Sequence, residues 1–373
     1  MKITVDSRIL LDATKEIAGI ITSNPVMEVL GCLLFNVHDG TVDLTATDLE
    51  STITVSLGKS ATVEGSGKFC APKDVFVNFL AKASGQVVLT INGLQMQMEL
   101  GKGHYEIGLL NPDDYPVTPS ISASSTCFDL DIPAFSAAAD ATIPFCSSDT
   151  LRPAMTGVCF DIDGTGKVTM VSTDAHQLAR YPINALAEAK PHNSVVVPKK
   201  FMSLLRKVVA RSSGSVSFFI AETMLFAKTD EMTAACRLID AVYPDYKAVI
   251  PSDNPYRLTI DRAMLASALT RVSLFANKTT MQVVMSIAGQ SLELSGCDLD
   301  FNYDAKETVP CGYHGADMSI VFNAGLLIGL LTTYDCETVE FHLSKPTRAA
   351  IITEPNAPKD GRMCLIMPLM IGV

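Results

Sequence analysis

The chain has 373 residues, 48% of them hydrophobic and 18% charged, with a mean hydropathy of +0.27. That apolar content supplies packed cores and excludes wholesale disorder, and the length suits two or three domains at roughly 150 residues each. Forty acidic against 29 basic residues leave a net charge of −11, which excludes a uniformly basic nucleic-acid-binding or membrane-surface protein but allows a local basic face.

In chain order, Met1-Lys2-Ile3-Thr4-Val5-Asp6 brings charge before any apolar core could form and does not read as a signal peptide. A strand over 3–5 leads into a helix over 7–22, with Leu10, Ala13, Ile17 and Ile21 on one stripe. A strand over 42–47 ends at Asp48, and a second helix is predicted over 72–83, opening on Pro72-Lys73. Strands over 87–91 and 95–100 follow, then a Gly101-Lys102-Gly103 hairpin turn and Asp114-Tyr115-Pro116. After a Ser/Pro-rich linker over 119–125 the order repeats. The second copy has a strand over 127–132, a helix over 133–143 and a Gly164-Thr165-Gly166 turn. It continues with a strand running to Asp174, a helix over 198–210, a strand over 216–220 and Tyr243-Pro244. A second linker over 251–255 opens the third copy: a strand over 256–260, a helix over 261–275, a strand running to Asp298, a helix around 323–333 and a strand over 339–343. The apolar tail Cys364-Leu365-Ile366-Met367-Pro368-Leu369-Met370-Ile371 reads equally as a last strand or as an exposed interaction site.

Self-similarity is the informative signal. Asp48, Asp174 and Asp298 close three similar strands and stand 126 (174 − 48) and 124 (298 − 174) residues apart. Pro72-Lys73 and Pro198-Lys199 keep the period, with Val321-Phe322-Asn323-Ala324 as the third member. The chain is a tandem array of three α+β units, over 1–122, 123–253 and 254–373, each with two helices and many strands.

The helix over 198–210 is the most charged. Phe201, Leu204, Leu205 and Val208 form its buried stripe, and Lys200, Arg206, Lys207 and Arg211 fall on or beside the other side. A solvated face explains one such helix. In an acidic protein, however, Arg8, Lys15, Lys73, Lys82, Arg262, Arg271 and Lys278 also belong to the helices of copies one and three, and repeated basic faces suit a phosphate backbone. Ser172-Thr173-Asp174-Ala175-His176 offers an Asp/His pair on one strand, but Glu50 and Asp300 take the place of His176 in the other copies, so a turn-forming Asp is the simpler explanation. A metal-dependent hydrolase built on Asp48, Asp174 and Asp298 is the rival from another class. No phosphate-loop, dinucleotide, zinc-protease or nucleophile-elbow motif occurs. Ten cysteines without CxxC spacing read as buried thiols of a reducing cytoplasm, Met96 and Met98 as core filler, and no apolar run reaches membrane-spanning length.

Val29-Leu30-Gly31-Cys32-Leu33-Leu34-Phe35, Ala46-Thr47-Asp48-Leu49-Glu50, Thr173-Asp174-Ala175-His176-Gln177-Leu178-Ala179, Tyr243-Pro244-Asp245-Tyr246 and Met367-Pro368 together resemble the bacterial replicative sliding clamps, the β subunits of DNA polymerase III, from end to end. The resemblance implies three clamp domains per chain and a head-to-tail homodimer forming a six-domain ring, with helices lining the hole and sheets outside. It implies a cytoplasmic, non-enzymatic protein without cofactor. Its partners would be double-stranded DNA, the polymerase III α subunit, the clamp loader and other proteins carrying a clamp-binding motif. Double-stranded DNA would meet Arg8, Lys15, Lys73, Lys82, Lys199, Lys200, Arg206, Lys207, Arg211 and Arg271. A partner-peptide pocket would include Arg152, Met155, Thr173, His176, Leu178, Pro244, Val249, Met367, Pro368 and Leu369, and the dimer interface Tyr105, Ile107, Leu274 and Phe275. Against the usual pattern, Met370 replaces a basic residue, Gln177 an Arg and Ala175 a Gly, and the tips at Asn24 and Asp149 are less basic. A docking scaffold that never encircles DNA is the alternative.

Overall fold

The computed structural model describes residues 1–122, 125–164, 166–186 and 192–370. Ala123 and Ser124 of the first linker, Thr165 of the glycine turn and Ile371 of the tail lie outside them. Among the described residues there are seven α-helices, α1 Ser7–Ala18, α2 Lys73–Leu80, α3 Ile132–Thr142, α4 Lys199–Val209, α5 Tyr246–Val249, α6 Arg262–Ser273 and α7 Ala324–Thr332, and 26 strands in four antiparallel sheets.

The helices start where the chain supplies acceptors for their first amides. Asp6, Asp131, Asp261 and Asn323 each accept a backbone N–H two or three residues on, from Arg8, Ala134, Met264 and Leu326. Each such cap is worth about 1 kcal/mol. α2 and α4 instead follow Pro72 and Pro198 without a side-chain cap. The helix expected over 7–22 stops at Ala18, because Gly19 ends it where the backbone meets the second lobe: a Cβ on Gly19 would lie 2.6 Å from Leu204 Cδ2 of α4. The expected ends at 261 and 275 also retract, Asp261 serving as cap and Leu274 as C-cap. The tail divides: Met363–Ile366 is a buried strand, whereas Met367 and Met370 are 44% and 77% exposed.

Each lobe contributes one half-sheet headed by the strand before its first helix and another that carries its aspartate turn. Between lobes these halves fuse. Strand Ser51–Ser56 of the first lobe pairs with Met232–Arg237 of the second, Val55 opposite Met232, giving an eight-stranded sheet. Strand Gln177–Asn184 pairs with Met363–Ile366, Leu178 opposite Leu365, giving a nine-stranded sheet across lobes two and three. The corresponding strands at the two ends, Gly103–Gly108 in lobe one and Tyr303–Pro310 in lobe three, are sheet edges with no strand on their outer side among the described residues.

Three matching backbone bonds close the lobes, from the N–H of Leu110 to Cys70, of Ile239 to Val196 and of Leu369 to Val321, at 3.0, 2.9 and 2.8 Å. α1 packs on α2, α3 on α4 and α6 on α7 within the lobes, and α1 packs on α4 across the first join. One core runs through lobes one and two, including Ile17, Phe35, Phe76, Phe135, Phe201 and Phe218; a second fills lobe three around Leu269, Phe322, Leu327 and Phe341. Met96 and Met98 are buried core residues. Six cysteines are buried, but Cys127 and Cys297 are exposed and Cys311 and Cys336 half-buried. The expectation of ten buried thiols therefore fails where strand alternation turns the residue outward, as at Cys127 in Thr126–Asp131.

Candidate functional site

A groove of about 660 Å³ lies over the second sheet join. Its floor is Leu178 and Leu365, cross-strand partners that are 2% and 3% exposed, with Ala349 beside them. Its walls are Met155, Pro244, Ile250 and Pro251, and Val249 and Met367 stand at the mouth, 57% and 44% exposed.

The upper rim is a turn fixed by its own side chains. Thr173 Oγ1 donates to Gln177 O (2.7 Å) and accepts from Ala175 N (3.1 Å), while Asp174 Oδ1 accepts the amides of His176 and Gln177 (2.9 and 2.8 Å). Thr47 and Asp48 repeat the pattern on Leu49, Glu50 and Ser51, and Asp298 keeps one such bond, from Asp300 N. Asp48 and Asp174 are thus turn-formers, and Asp48 also holds Lys200 at 2.7 Å.

The connector between lobes two and three forms the lower rim. Tyr243 donates to Val171 O (3.4 Å), as Tyr115 does to Thr45 O (3.3 Å) in lobe one. Tyr246 donates to Asp161 Oδ2 (2.6 Å), which also pairs with Lys247 at 2.9 Å. Burial pushes both tyrosines far above the ordinary phenol range. Arg180 ties lobe three to lobe two by donating to Lys359 O and Gly361 O, 2.8 and 2.9 Å. These contacts hold the rims rigid around an apolar trough. Burying one Leu or Phe side chain there would contribute about 1.5–3 kcal/mol, which is how a short extended peptide binds.

Of the pocket residues expected from sequence, Met155, Thr173, Leu178, Pro244, Val249 and Met367 line the groove. Arg152 is drawn to Asp149 (2.9 Å), the exposed His176 reaches the site through its carbonyl, which accepts from Met367 N (2.8 Å), and Pro368 is buried outside the lining. Leu369 serves the lobe-closing bond instead. The lining also takes Ala175, Gln177, Asp245, Tyr246, Leu365 and the loop residues Thr347, Arg348 and Ala349. Leu365 could have been found from strand alternation, two residues before Met367, and Gln177 from its place in the Asp174 turn. The loop over 347–349 carried no sequence signal, because it comes from the far half of lobe three.

The basic helix faces are more neutralised than sequence suggested. Lys73 pairs with Asp74 (3.1 Å), Arg206 with Asp140 (2.7 Å), Arg211 with Glu16 (3.1 Å) and Arg271 with Glu307 (2.5 Å), and Lys199 donates to Cys146 O (3.2 Å). Arg271 holds the Glu307 carboxyl below the usual range, while burial outweighs Arg211 at Glu16 and raises its carboxyl. Arg8, Lys15, Lys82 and Lys207 are exposed and form no ion pair among the described residues. Exposed pairs of this kind are worth 0–1 kcal/mol or so and open readily to a phosphate.

At the free edges, Tyr105 packs on Phe79 with ring centroids 4.9 Å apart, and Ile107 is half-buried. Leu274 and Phe275 are 62% and 42% exposed, beside Leu299, Phe301 and Tyr303, which sequence reasoning passed over. Phe275 and Phe301 both pack on Tyr303, at 6.3 and 5.8 Å.

Comparison with known proteins finds three successive sequence-family matches: the DNA polymerase III beta subunit N-terminal domain over residues 1–119, the central domain over 134–245 and the C-terminal domain over 247–369. The chain is 24% identical to the beta sliding clamps of Pseudomonas aeruginosa and Escherichia coli K12, each comparison covering 100% of both chains. Its fold is similar to solved DnaN sliding clamps from P. aeruginosa (22% identity, TM-score 0.92) and Bartonella birtlesii (24%, 0.92), both bound to griselimycin, again over 100% of both chains.

Proposed function

Since the chain belongs to the family of DNA polymerase III β subunits, the bacterial sliding clamps, we infer that it is a processivity factor that encircles duplex DNA and tethers replication and repair proteins through the groove over Leu178 and Leu365. The observation that carries the ring is the pair of unmatched sheet edges. Strand Gly103–Gly108 is the counterpart of Met232–Arg237, and Tyr303–Pro310 is the counterpart of Ser51–Ser56, which already pair with each other at an internal join. Pairing the two ends of one chain with those of a second copy repeats that join twice and closes six lobes, with Tyr105, Ile107, Leu274 and Phe275 at the new seams. Unpaired edges left in a monomer would be an aggregation hazard, which favours the ring over a monomeric scaffold.

Boundaries near 122/123 and 253/254 divide the chain into its lobes. Arg8, Lys15, Lys82 and Lys207 make the persistent contacts to duplex DNA, and the ion-paired Lys73, Lys200, Arg206, Arg211 and Arg271 exchange carboxylate for phosphate. Such contacts are weak and independent of sequence, so the duplex slides while the ring cannot leave sideways. The polymerase α subunit, the clamp loader and other motif-bearing proteins dock in the groove, in the cytoplasm, and the protein itself performs no chemistry. No helix of the described residues is long and apolar enough to cross a membrane.

Loading on nicked circular and on linear DNA of equal length tests the reading. The protein is expected to stay on the circle and run off the linear form within the assay; equal retention on both refutes encirclement.

A further inference from the structure

The two internal sheet joins share one register, and it fixes how the free edges meet. Four residues before the lobe-closing amides of Leu110, Ile239 and Leu369 stand Glu106, Ala235 and Leu365, which hold one place in successive lobes. After the aspartate turns, Thr52 lies opposite Thr47, Leu178 opposite Thr173 and Asp304 opposite Cys297, again one place in three lobes. The first join pairs Thr52 with Ala235, and the second pairs Leu178 with Leu365. The same register at the seam of the ring sets Asp304 against the partner's Glu106. Two residues along, Thr54 faces Thr233 and Arg180 faces Met363 inside the chain, so Lys306 faces the partner's His104. All four side chains are exposed in the single chain and point away from the helices, since the intervening Tyr105 packs on Phe79 of α2 and Glu307 is held by Arg271 of α6. His104 lies 3.6 Å from Glu99, whereas Glu106, Asp304 and Lys306 form no ion pair among the described residues.

Resting on the ring assigned above, we propose that this outer row opposes closure, Glu106 and the partner's Asp304 repelling each other at both seams. Directly opposed side chains of an antiparallel pair stand about 5 Å apart and diagonal ones about 7–8 Å. The acid–acid repulsion therefore outweighs the attraction of either acid to the cation two residues along its facing strand. On the helix side the same register sets Tyr105 against the partner's Ala305 and Ile107 against the partner's Tyr303, an apolar row that holds the seam shut. The internal joins carry no charge at the place of the acid pair, with Thr52 and Ala235 at one and Leu178 and Leu365 at the other. The seam is thus the joint set to part, and the opposed carboxylates are what sets it.

The test is a charge cycle on the full-length protein, with the dimer dissociation constant read by fluorescence-detected sedimentation over a dilution series. Glu106→Lys and Asp304→Lys each turn repulsion into attraction at both seams, and each should tighten the dimer about tenfold. Glu106→Gln, which removes a charge and adds none, should tighten it by a smaller factor. The double variant Glu106→Lys with Asp304→Lys opposes cation to cation and should be weaker than either single Lys variant. Both chains carry a net charge of −11, so relief of their general repulsion alone would make the double variant the tightest of all. That order overturns the proposal and leaves the ring standing, and so do single variants no tighter than wild type. Wild type and every variant sedimenting at the 40.0 kDa of one chain at all concentrations would remove the ring itself, and the proposal with it. Unchanged far-UV circular dichroism, expected for substitutions of exposed side chains, separates association from folding.

Discussion

Ala175 and Leu49 occupy the same turn position in successive lobes, at φ of +76° and +77°, a region that side chains with a Cβ disfavour by about 1–2 kcal/mol. The hydrogen bonds from Thr173 and Asp174, and from Thr47 and Asp48, over-determine the turn and hold the strain. Ala175→Gly is therefore expected to raise stability by about 1 kcal/mol, read as a higher denaturant midpoint at unchanged slope. His38 provides a pH-sensitive counterpart. Its Nε2 lies 2.8 Å from Asp43, and the hydrogen bonds to Asp43 and Asp39 raise its pKa above the ordinary imidazole value. Its contribution to stability is thus fully present below the unfolded pKa and is lost as pH rises through the folded one. An NMR titration should show His38 moving down toward the ordinary value in Asp43→Asn; no movement would remove Asp43 as the cause. His342 runs the other way, since burial and then Arg257 lower its pKa, and its contribution is lost on acidification. The turn role of Asp48 and Asp174 was legible from three-fold recurrence. Asp298 keeps that role in reduced form, with one turn bond from Asp300 N, because Cys297 replaces the threonine that completes the motif.

Helix α4 shows what periodicity can and cannot give. Its buried stripe of Phe201, Leu204, Leu205 and Val208 is observed as read, since a 3.6-residue repeat reports burial directly. The state of its cations depends on carboxylates 66 and 195 residues away, Asp140 on α3 and Glu16 on α1, which no local pattern reveals. The consequence is testable by anisotropy with a labelled duplex at low salt. Lys207→Glu should weaken binding several-fold and reduce the salt slope by about 0.9 per lost phosphate contact, whereas Arg206→Gln should weaken it less, because a phosphate there must first displace Asp140. Equal effects of the two variants would show that displacing Asp140 costs nothing. The helix ends were less legible than the stripes. Gly19 and Asp261 end or cap helices for tertiary and capping reasons that the apolar repeat does not encode.

At the scale of the whole molecule, the sequence period reported three units but not how they join. Sheet fusion sets residues 51–55 against 232–236 and 177–180 against 363–366, pairings between segments more than 170 residues apart. The groove lies over one of these joins, and so the part of its lining that comes from the 347–349 loop of lobe three, including Arg348, escaped detection from the ordered motifs. The open strands at either end make the strongest quaternary prediction. Phe301→Asp, placed on an exposed ring 64% accessible beside the Tyr303–Pro310 edge, should leave each chain folded yet shift the light-scattering mass from a dimer to the 40.0 kDa of one chain. A mass unchanged from wild type would remove that edge from the contact.

The two largest hydrophobic cores do not follow the three-fold period. One is common to the first two lobes and the other belongs almost wholly to the third, with Phe145 and Ala179 crossing over, and only a smaller cluster of Leu178, Tyr243, Met363, Leu365 and their neighbours bridges lobes two and three. The thermodynamic block is therefore not the evolutionary repeat. On heating, roughly two-thirds of the polypeptide should melt as one cooperative body and the remainder as another, so the lobe bearing Arg348 can loosen while its neighbours stay intact.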